Sequence, residues 1–104
     1  MAEINLKNLD FARQGAVIPD NVMIRKVADE SVILNLQSTQ YFGLDEVGTR
    51  MWEVLTTENT IQVAFELLLA EYDVDPERLR TDLQELVSKL VEQELLELHE
   101  VNPK

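Results

Sequence analysis

Apolar and polar positions follow two different repeats along the chain. Between residues 22 and 44 the apolar side chains form short runs or alternate with polar ones, which is typical of β-strands. From residue 45 onward they recur every three or four positions, as on one face of a helix. The pattern therefore predicts strands in the first half of the chain and helices in the second.

Three strands are predicted before the helices. Val22–Val27 is β-prone, and a polar turn separates it from Ser31–Gln37. That second strand alternates Val32, Leu34 and Leu36 with more polar neighbours, which predicts a half-buried strand with one apolar face. A tight turn at Ser38 and Thr39 leads to the third strand, Gln40–Leu44. If this strand lies at an edge of the sheet, its backbone N–H and C=O groups can pair with another chain.

The predicted helices are marked by their starts. Asp45, Thr60 and Asp75 are N-cap residues, and Pro76 suits the first position of a helix because no N–H is needed there. The apolar spacing then predicts helices over about 45–56, 61–71 and 75–92. The core stripe of the third helix consists of Leu79, Leu83, Leu86 and Leu90.

Two segments lie outside this series. Residues 1–20 have no clean period and are interpreted as an N-terminal arm, with a short extended piece near 16–18, so that the domain proper covers 21–104. Residues 95–101 alternate and fit either a last strand or a continuation of the third helix. The predicted fold is α+β: a winged helix-turn-helix with a three-stranded antiparallel sheet followed by a three-helix bundle.

Composition narrows the class of partner. The 104 residues carry 20 acidic and 9 basic side chains, a net charge of −11. This balance argues against nucleic acid or an anionic membrane, since both need a positive surface. There is no cysteine, and no apolar run is long enough for a signal peptide or a membrane span, so a cytoplasmic location is expected.

Catalytic chemistry is not indicated. His99 is the only histidine, and no serine stands in a nucleophile-elbow motif. The sequence contains no phosphate-binding loop and no metal-ligand spacing. We therefore expect that the chain is not an enzyme and that it binds no cofactor and no metal. A winged helix could instead place its third helix in DNA. That helix carries three basic against six acidic residues between positions 75 and 94, which disfavours the alternative.

The middle of the chain resembles a known family. The run LNLQSTQYFGLDEVGTRMWEVL and the segment from Thr60 to Leu98 resemble the PqqD-like family, and the likeness covers about residues 20–98. The positions that match the family pattern are Tyr41, Phe42, Leu44, Asp45, Gly48, Trp52, Tyr72, Val74, Asp82, Leu86 and Leu90. Glu94 departs from it, because the family often has glycine there.

The resemblance implies a function. Such proteins bind the leader segment of a ribosomally made precursor peptide as an added antiparallel strand, between the third strand and the third helix. The stand-alone proteins of lasso-peptide clusters look closer than those of pyrroloquinoline quinone synthesis, because LNLQSTQ stands where the latter usually carry proline-glutamate. The implied partners are the leader peptide, a transglutaminase-like leader peptidase and an ATP-dependent cyclase. Another peptide-modification pathway remains an alternative.

The expected binding residues fall on two elements. The strand residues are Thr39, Gln40, Tyr41 and Phe42, and the helix residues are Arg80, Leu83, Gln84, Val87 and Val91. Four of the helix residues, all but Leu83, recur at spacings of four, three and four beside the leucine stripe. The alternative is that Val87 and Val91 only widen the core contact. Asp82 could pair with a basic leader residue or be solvated.

Overall fold

The computed structural model describes residues 9–101, and a three-stranded antiparallel sheet followed by three helices confirms the predicted α+β fold. The elements in chain order are β1 Gln14–Val17, β2 Val22–Val27, β3 Glu30–Asn35, β4 Tyr41–Leu44, α1 Glu46–Thr57, α2 Ile61–Glu71, α3 Pro76–Glu92 and β5 Glu97–Glu100. The larger sheet has the order β2-β3-β4, so β2 and β4 are its edges. The smaller sheet pairs β1 with β5.

The helices begin where the sequence predicts. Asp45 Oδ1 accepts a hydrogen bond from the N–H of Gly48 at 2.8 Å, and the Thr60 hydroxyl accepts one from Val63 at 3.2 Å. In α3 the side chain of Asp75 makes no capping bond within the described part of the chain, so the start depends on Pro76. The caps at Asp45 and Thr60 and the proline at Pro76 therefore determine where each helix begins and where the connection before it ends.

The buried face of β3 is the opposite of the predicted one. Ser31, Ile33 and Asn35 are buried, whereas Val32 and Leu36 are 44% and 57% exposed. The prediction failed because the buried polar groups find hydrogen bonds, as in the 2.8 Å contact between the hydroxyls of Ser31 and Thr49. The apolar side of β3 consequently lies on the outer face of the sheet, away from the helices.

Residues 9–17 are part of the packed structure and do not form a separate arm. Leu9, Phe11 and Ala16 are buried in the core, and β1 pairs antiparallel with β5. Residues 1–8 of the predicted arm lie outside the described residues. The strand interpretation of 95–101 is confirmed by β5. Periodicity could not show that β5 pairs with β1, because paired residues such as Gln14 and Glu100 are far apart in the sequence.

The core lies between the inner face of the larger sheet and the three helices. Its completely buried side chains come from every layer of the fold: Ile33 from β3, Leu55 from α1, Leu68 from α2, and Leu83 and Leu90 from α3. Helix α2 has apolar residues over most of its surface, yet Val63 and Leu67 remain 38% and 36% exposed. One face of α2 therefore packs against the core, and the other is open.

Helix α3 ends in a Schellman motif that contains no glycine. The N–H of Leu95 bonds the carbonyl of Leu90 at 2.8 Å, and that of Glu94 bonds Val91 at 3.0 Å. Glu94 has a φ of 62°, the left-handed conformation that glycine adopts most readily at this position. Glu94 stands where the family often has glycine. The helix nevertheless ends in the usual motif, with a non-glycine residue in a conformation that favours glycine.

We expect Glu94→Gly to stabilise the protein by about 1 kcal/mol, because it removes the side chain that disfavours the left-handed conformation. Thermal unfolding followed by circular dichroism should show a higher midpoint. The matched control is Glu85→Gly, an exposed mid-helix change that should destabilise by about 1 kcal/mol. A midpoint that falls equally in both variants would contradict the assignment.

Four charged side chains join β2, α1 and α2. Arg50 donates to both Glu71 oxygens at 2.8 and 2.6 Å and to Glu53 at 3.2 Å, and Lys26 donates to Glu53 at 2.8 Å. The bond from Lys26 is the main cause that lowers the pKa of Glu53, and the bond from Arg50 lowers that of Glu71. Carboxylates with a lowered pKa stabilise the fold above their ordinary pKa and lose that effect as the pH falls.

We expect Arg50→Gln to lower the unfolding midpoint at pH 7 and low salt by only about 2–4 °C, because these groups are more than one-third exposed. The difference from the parent protein should shrink below pH 4.5, the ordinary value for a glutamate, as Glu53 and Glu71 become protonated. Arg78→Gln serves as the control, since Arg78 is 78% exposed and makes one loose contact with Asp82. A difference independent of pH would exclude the ion network as its source.

Candidate functional site

Among residues 9–101, no strand pairs with β4 on the side away from β3, so β4 presents an open backbone edge. The N–H of Asn35 bonds the carbonyl of Gln40 at 2.8 Å, and the register continues with Ile33 opposite Phe42. In an antiparallel pair, residues two apart point their backbone groups the same way. Gln40, Phe42 and Leu44 therefore face β3, whereas Tyr41 and Gly43 direct N–H and C=O away from the sheet. A peptide strand would pair with Tyr41 and Gly43.

An apolar groove runs beside this edge. It has a volume of about 420 Å³ and lies between β4, the start of α1 and one side of α3. Its lining residues are Phe42, Gly43, Leu44, Asp45, Val47, Gly48, Met51 and Leu86. Of the predicted binding residues, Phe42 borders this groove, and its side chain also packs partly against the core.

Two of the predicted helix residues are not available to a ligand. Leu83 and Val87 are both 0% exposed and belong to the core cluster. The premise that Val87 is apolar without a place in the core is wrong, because α3 is rotated so that Val87 points inward and Leu86 toward the groove. Leu86, predicted as core, is partly exposed.

Arg80 and Gln84 lie on the other side of α3. The Arg80 guanidinium stands over the rings of Phe11 and Phe65 at 4.4 and 5.1 Å, and Gln84 Oε1 accepts from the N–H of Leu9 at 3.4 Å. Successive helix residues differ by about 100°, so Arg80 and Gln84 share a flank that Leu86 does not. Val91 is partly buried against the core. The structure therefore does not bring the predicted strand and helix residues together in one groove.

The groove has an acidic border. Asp45 lines it at the start of α1, and Asp82 lies one turn before Leu86 on α3. The Asp82 carboxylate is 3.6 Å from Arg78, a loose pair in which Asp82 remains 46% exposed. A basic side chain at the end of a bound peptide would meet favourable charge there.

Sequence reasoning missed most of the groove. Leu86 is predicted to belong to the leucine core stripe, and Gly43, Val47 and Met51 are not among the predicted binding residues. Leu86 lies at one margin of the leucine stripe, and this position could have marked it as a groove residue. The stripe has two margins, however, and the one that faces the groove depends on where β4 packs, which cannot be deduced from the sequence of the helix alone.

Within residues 9–101 no group of three or more histidine, cysteine, aspartate or glutamate side chains could hold a metal ion. None of the helices in the same range combines the length and the apolar character needed to cross a membrane.

Comparisons with known proteins agree with this geometry. The family model "Coenzyme PQQ synthesis protein D (PqqD)" matches residues 30–96. A solved structure of TbiB1 in complex with the TbiA(beta) leader peptide is 38% identical, with a TM-score of 0.72 over 78% of this chain and 94% of that one. Lasso peptide synthetase B1 complexed with a leader peptide shares the fold at 18% identity, with a TM-score of 0.71 over 79% of this chain and 96% of that one. No protein of curated function matches.

The three-stranded sheet and three helices define a winged-helix module whose larger sheet has an open edge at β4. With the family model matching residues 30–96, more than half of the chain, this protein belongs to the PqqD family.

The neighbours Leu86 and Val87 give a direct test of the helix rotation. Val87→Glu should leave the protein largely unfolded, because it places a carboxylate in the core at a cost of more than about 4 kcal/mol. Leu86→Glu should remain folded, since its side chain can reach water. The emission of buried Trp52 together with far-UV circular dichroism distinguishes the two states. A folded Val87→Glu variant would contradict the rotation described here.

Proposed function

We propose that this protein is a non-catalytic recognition element that binds the leader segment of a ribosomally synthesised precursor peptide. The leader adds to β4 as an antiparallel strand, with its backbone on Tyr41 and Gly43. The observation that supports this most directly is the open β4 edge beside an apolar groove that contains Phe42 and Leu86. Backbone bonds of this kind hold any extended peptide, and side-chain pockets select among them.

The expected affinity follows from opposing contributions. Each leader side chain buried in the groove contributes about 1.5–3 kcal/mol. Ordering a flexible segment takes back several kcal/mol. A dissociation constant near micromolar or somewhat tighter, about −8 to −10 kcal/mol, is therefore expected.

The likeness to TbiB1 supports the peptide class. The structure of that protein was solved with a leader peptide, and the protein is 38% identical to this chain, with 78% of this chain covered. The proposal extends this to a place in lasso-peptide biosynthesis, where the bound leader is presented to a separate transglutaminase-like peptidase and an ATP-dependent cyclase acts later. We further propose that the protein works in the cytoplasm, where precursor peptides are made.

A role in pyrroloquinoline quinone synthesis is the second candidate, because the matching family model carries that description. The mode of binding would be the same and only the precursor would differ. Titration of this protein with the leader of each class of precursor separates the two, since only the cognate leader should bind near micromolar concentration.

The proposal is tested by isothermal titration of the TbiA(beta) leader peptide into the full chain, with a scrambled peptide as control. A second arm selects binders from a phage-displayed library of random dodecapeptides. We expect the leader to bind one-to-one, or the library to yield apolar peptides that compete with one another for a single site. Absence of binding in both arms would refute the proposal.

Tyr41→Pro should weaken peptide binding by up to about tenfold more than Tyr41→Ala, because both remove the ring and only proline removes the outward N–H. Tyr41 is 70% exposed and lies opposite Leu34 of β3 at a position without ladder hydrogen bonds, so its N–H is not needed by the sheet and both variants should fold. Affinities come from the same titration and folding from Trp52 emission. Equal affinities would exclude the Tyr41 N–H from peptide pairing.

A further inference from the structure

Gly43 stands where the fold itself does not require glycine. Its φ is not positive, and a Cβ added to it would meet no atom of residues 9–101 within 4 Å. Gly15 shows the contrast, because a Cβ there would collide with the carbonyl oxygen of Asn59. Glycine inside a strand weakens it and often marks a place where a ligand or another backbone approaches closely. The reason for Gly43 is therefore sought outside the isolated chain.

The space above Gly43 lies on the outer face of the sheet. Strand side chains alternate, so position 43 faces the same side as Tyr41 and the opposite side from Phe42. Val32 is directly across from Gly43 in the register with β3 and is 44% exposed. A depression of about 290 Å³ continues from Gly43 past Val32 toward Val27. Its lining also includes Glu30, Ser31, Leu44 and Asp45. The notch is this depression at the β4 edge, in which Gly43, Val32 and Val27 are apolar members, and Tyr41 lies next to it on the same face of the sheet.

We infer that the notch receives a large apolar side chain, best an aromatic one, from the peptide residue that pairs with Gly43. This rests on the proposed addition of a peptide strand to β4. Directly opposed residues of an antiparallel pair place their side chains on the same face. The ring would cover the glycine and contact Tyr41 and Val32, an arrangement in which aromatic side chains stabilise glycines at sheet edges.

The inference specifies the ligand further. The peptide residues on either side of the one paired with Gly43 point to the inner face, toward the groove that contains Phe42 and Leu86. The segment should therefore have apolar side chains at consecutive positions, because both of its faces contact apolar surface. A peptide that used only the inner groove would show apolar residues at every second position.

Gly43→Val tests the notch. The variant should fold with an unchanged or higher unfolding midpoint, since valine favours strands and its Cβ has open space. It should bind the dodecapeptides selected by the parent protein about tenfold or more weakly, because the notch is filled. The matched control is Arg25→Val, which puts the same side chain on the same face two strands away, opposite Val32. The control should bind as the parent does.

An alanine scan of one selected peptide against both proteins locates the paired residue. One large apolar position should lose about tenfold or more in affinity for the parent and almost nothing for Gly43→Val. If Gly43→Val binds as tightly as the parent, or if no position shows this coupling, the notch is refuted while strand addition stands. If the parent selects no peptide from the library, the scan is made on the TbiA(beta) leader instead, and if the parent binds neither, both the notch and the proposed function are refuted.

Discussion

The side chain of Asn35 connects the loop before β4 to the end of α3. Its Nδ2 donates to the carbonyl oxygen of Glu94 at 2.7 Å, at the end of α3. Its Oδ1 accepts from the N–H groups of Gln37 and Ser38 at 2.9 and 3.0 Å, in the loop that leads to β4. The Asn35 side chain is only 2% exposed, so losing these bonds would leave a buried amide without partners. This one amide ties the loop before β4 to the end of α3, and the relative position of the two elements depends in part on it.

The same amide explains why the faces of β3 resisted prediction. A polar residue at every second position normally marks the solvent side of a strand. Here Asn35 and Ser31 are buried because partners distant in sequence, Glu94 and Thr49, satisfy their hydrogen bonds. Those partners cannot be identified from the strand alone. The helix starts were predictable because Asp45 and Thr60 bond N–H groups only three residues away.

The two sides of the candidate site, β4 and α3, also differ in how far the sequence predicts them. For the strand half, the sequence indicated that β4 could be an edge strand, but not that Tyr41 and Gly43 direct their backbone groups outward, because this depends on the register with β3. The helix half was not predictable, since Leu86 and Val87 are both apolar and adjacent in sequence. A rotation of about 100° decides which of them faces the core, and that rotation is set by packing against other elements. The predicted stripe through Arg80 and Gln84 follows the flank where Leu9 and Phe11 pack instead.

An open edge next to an exposed apolar sheet face is a hazard for a folded protein, because it invites pairing between copies. Met23, Leu36 and Tyr41 are each 45% exposed or more on that outer face or just beyond it. A net charge of −11 opposes association between like molecules at every orientation. It does not oppose a peptide that is neutral or basic. The acidic charge therefore disfavours pairing of the edge with another copy of the chain more than pairing with such a peptide, and Gly43 adds a preference for what the peptide carries.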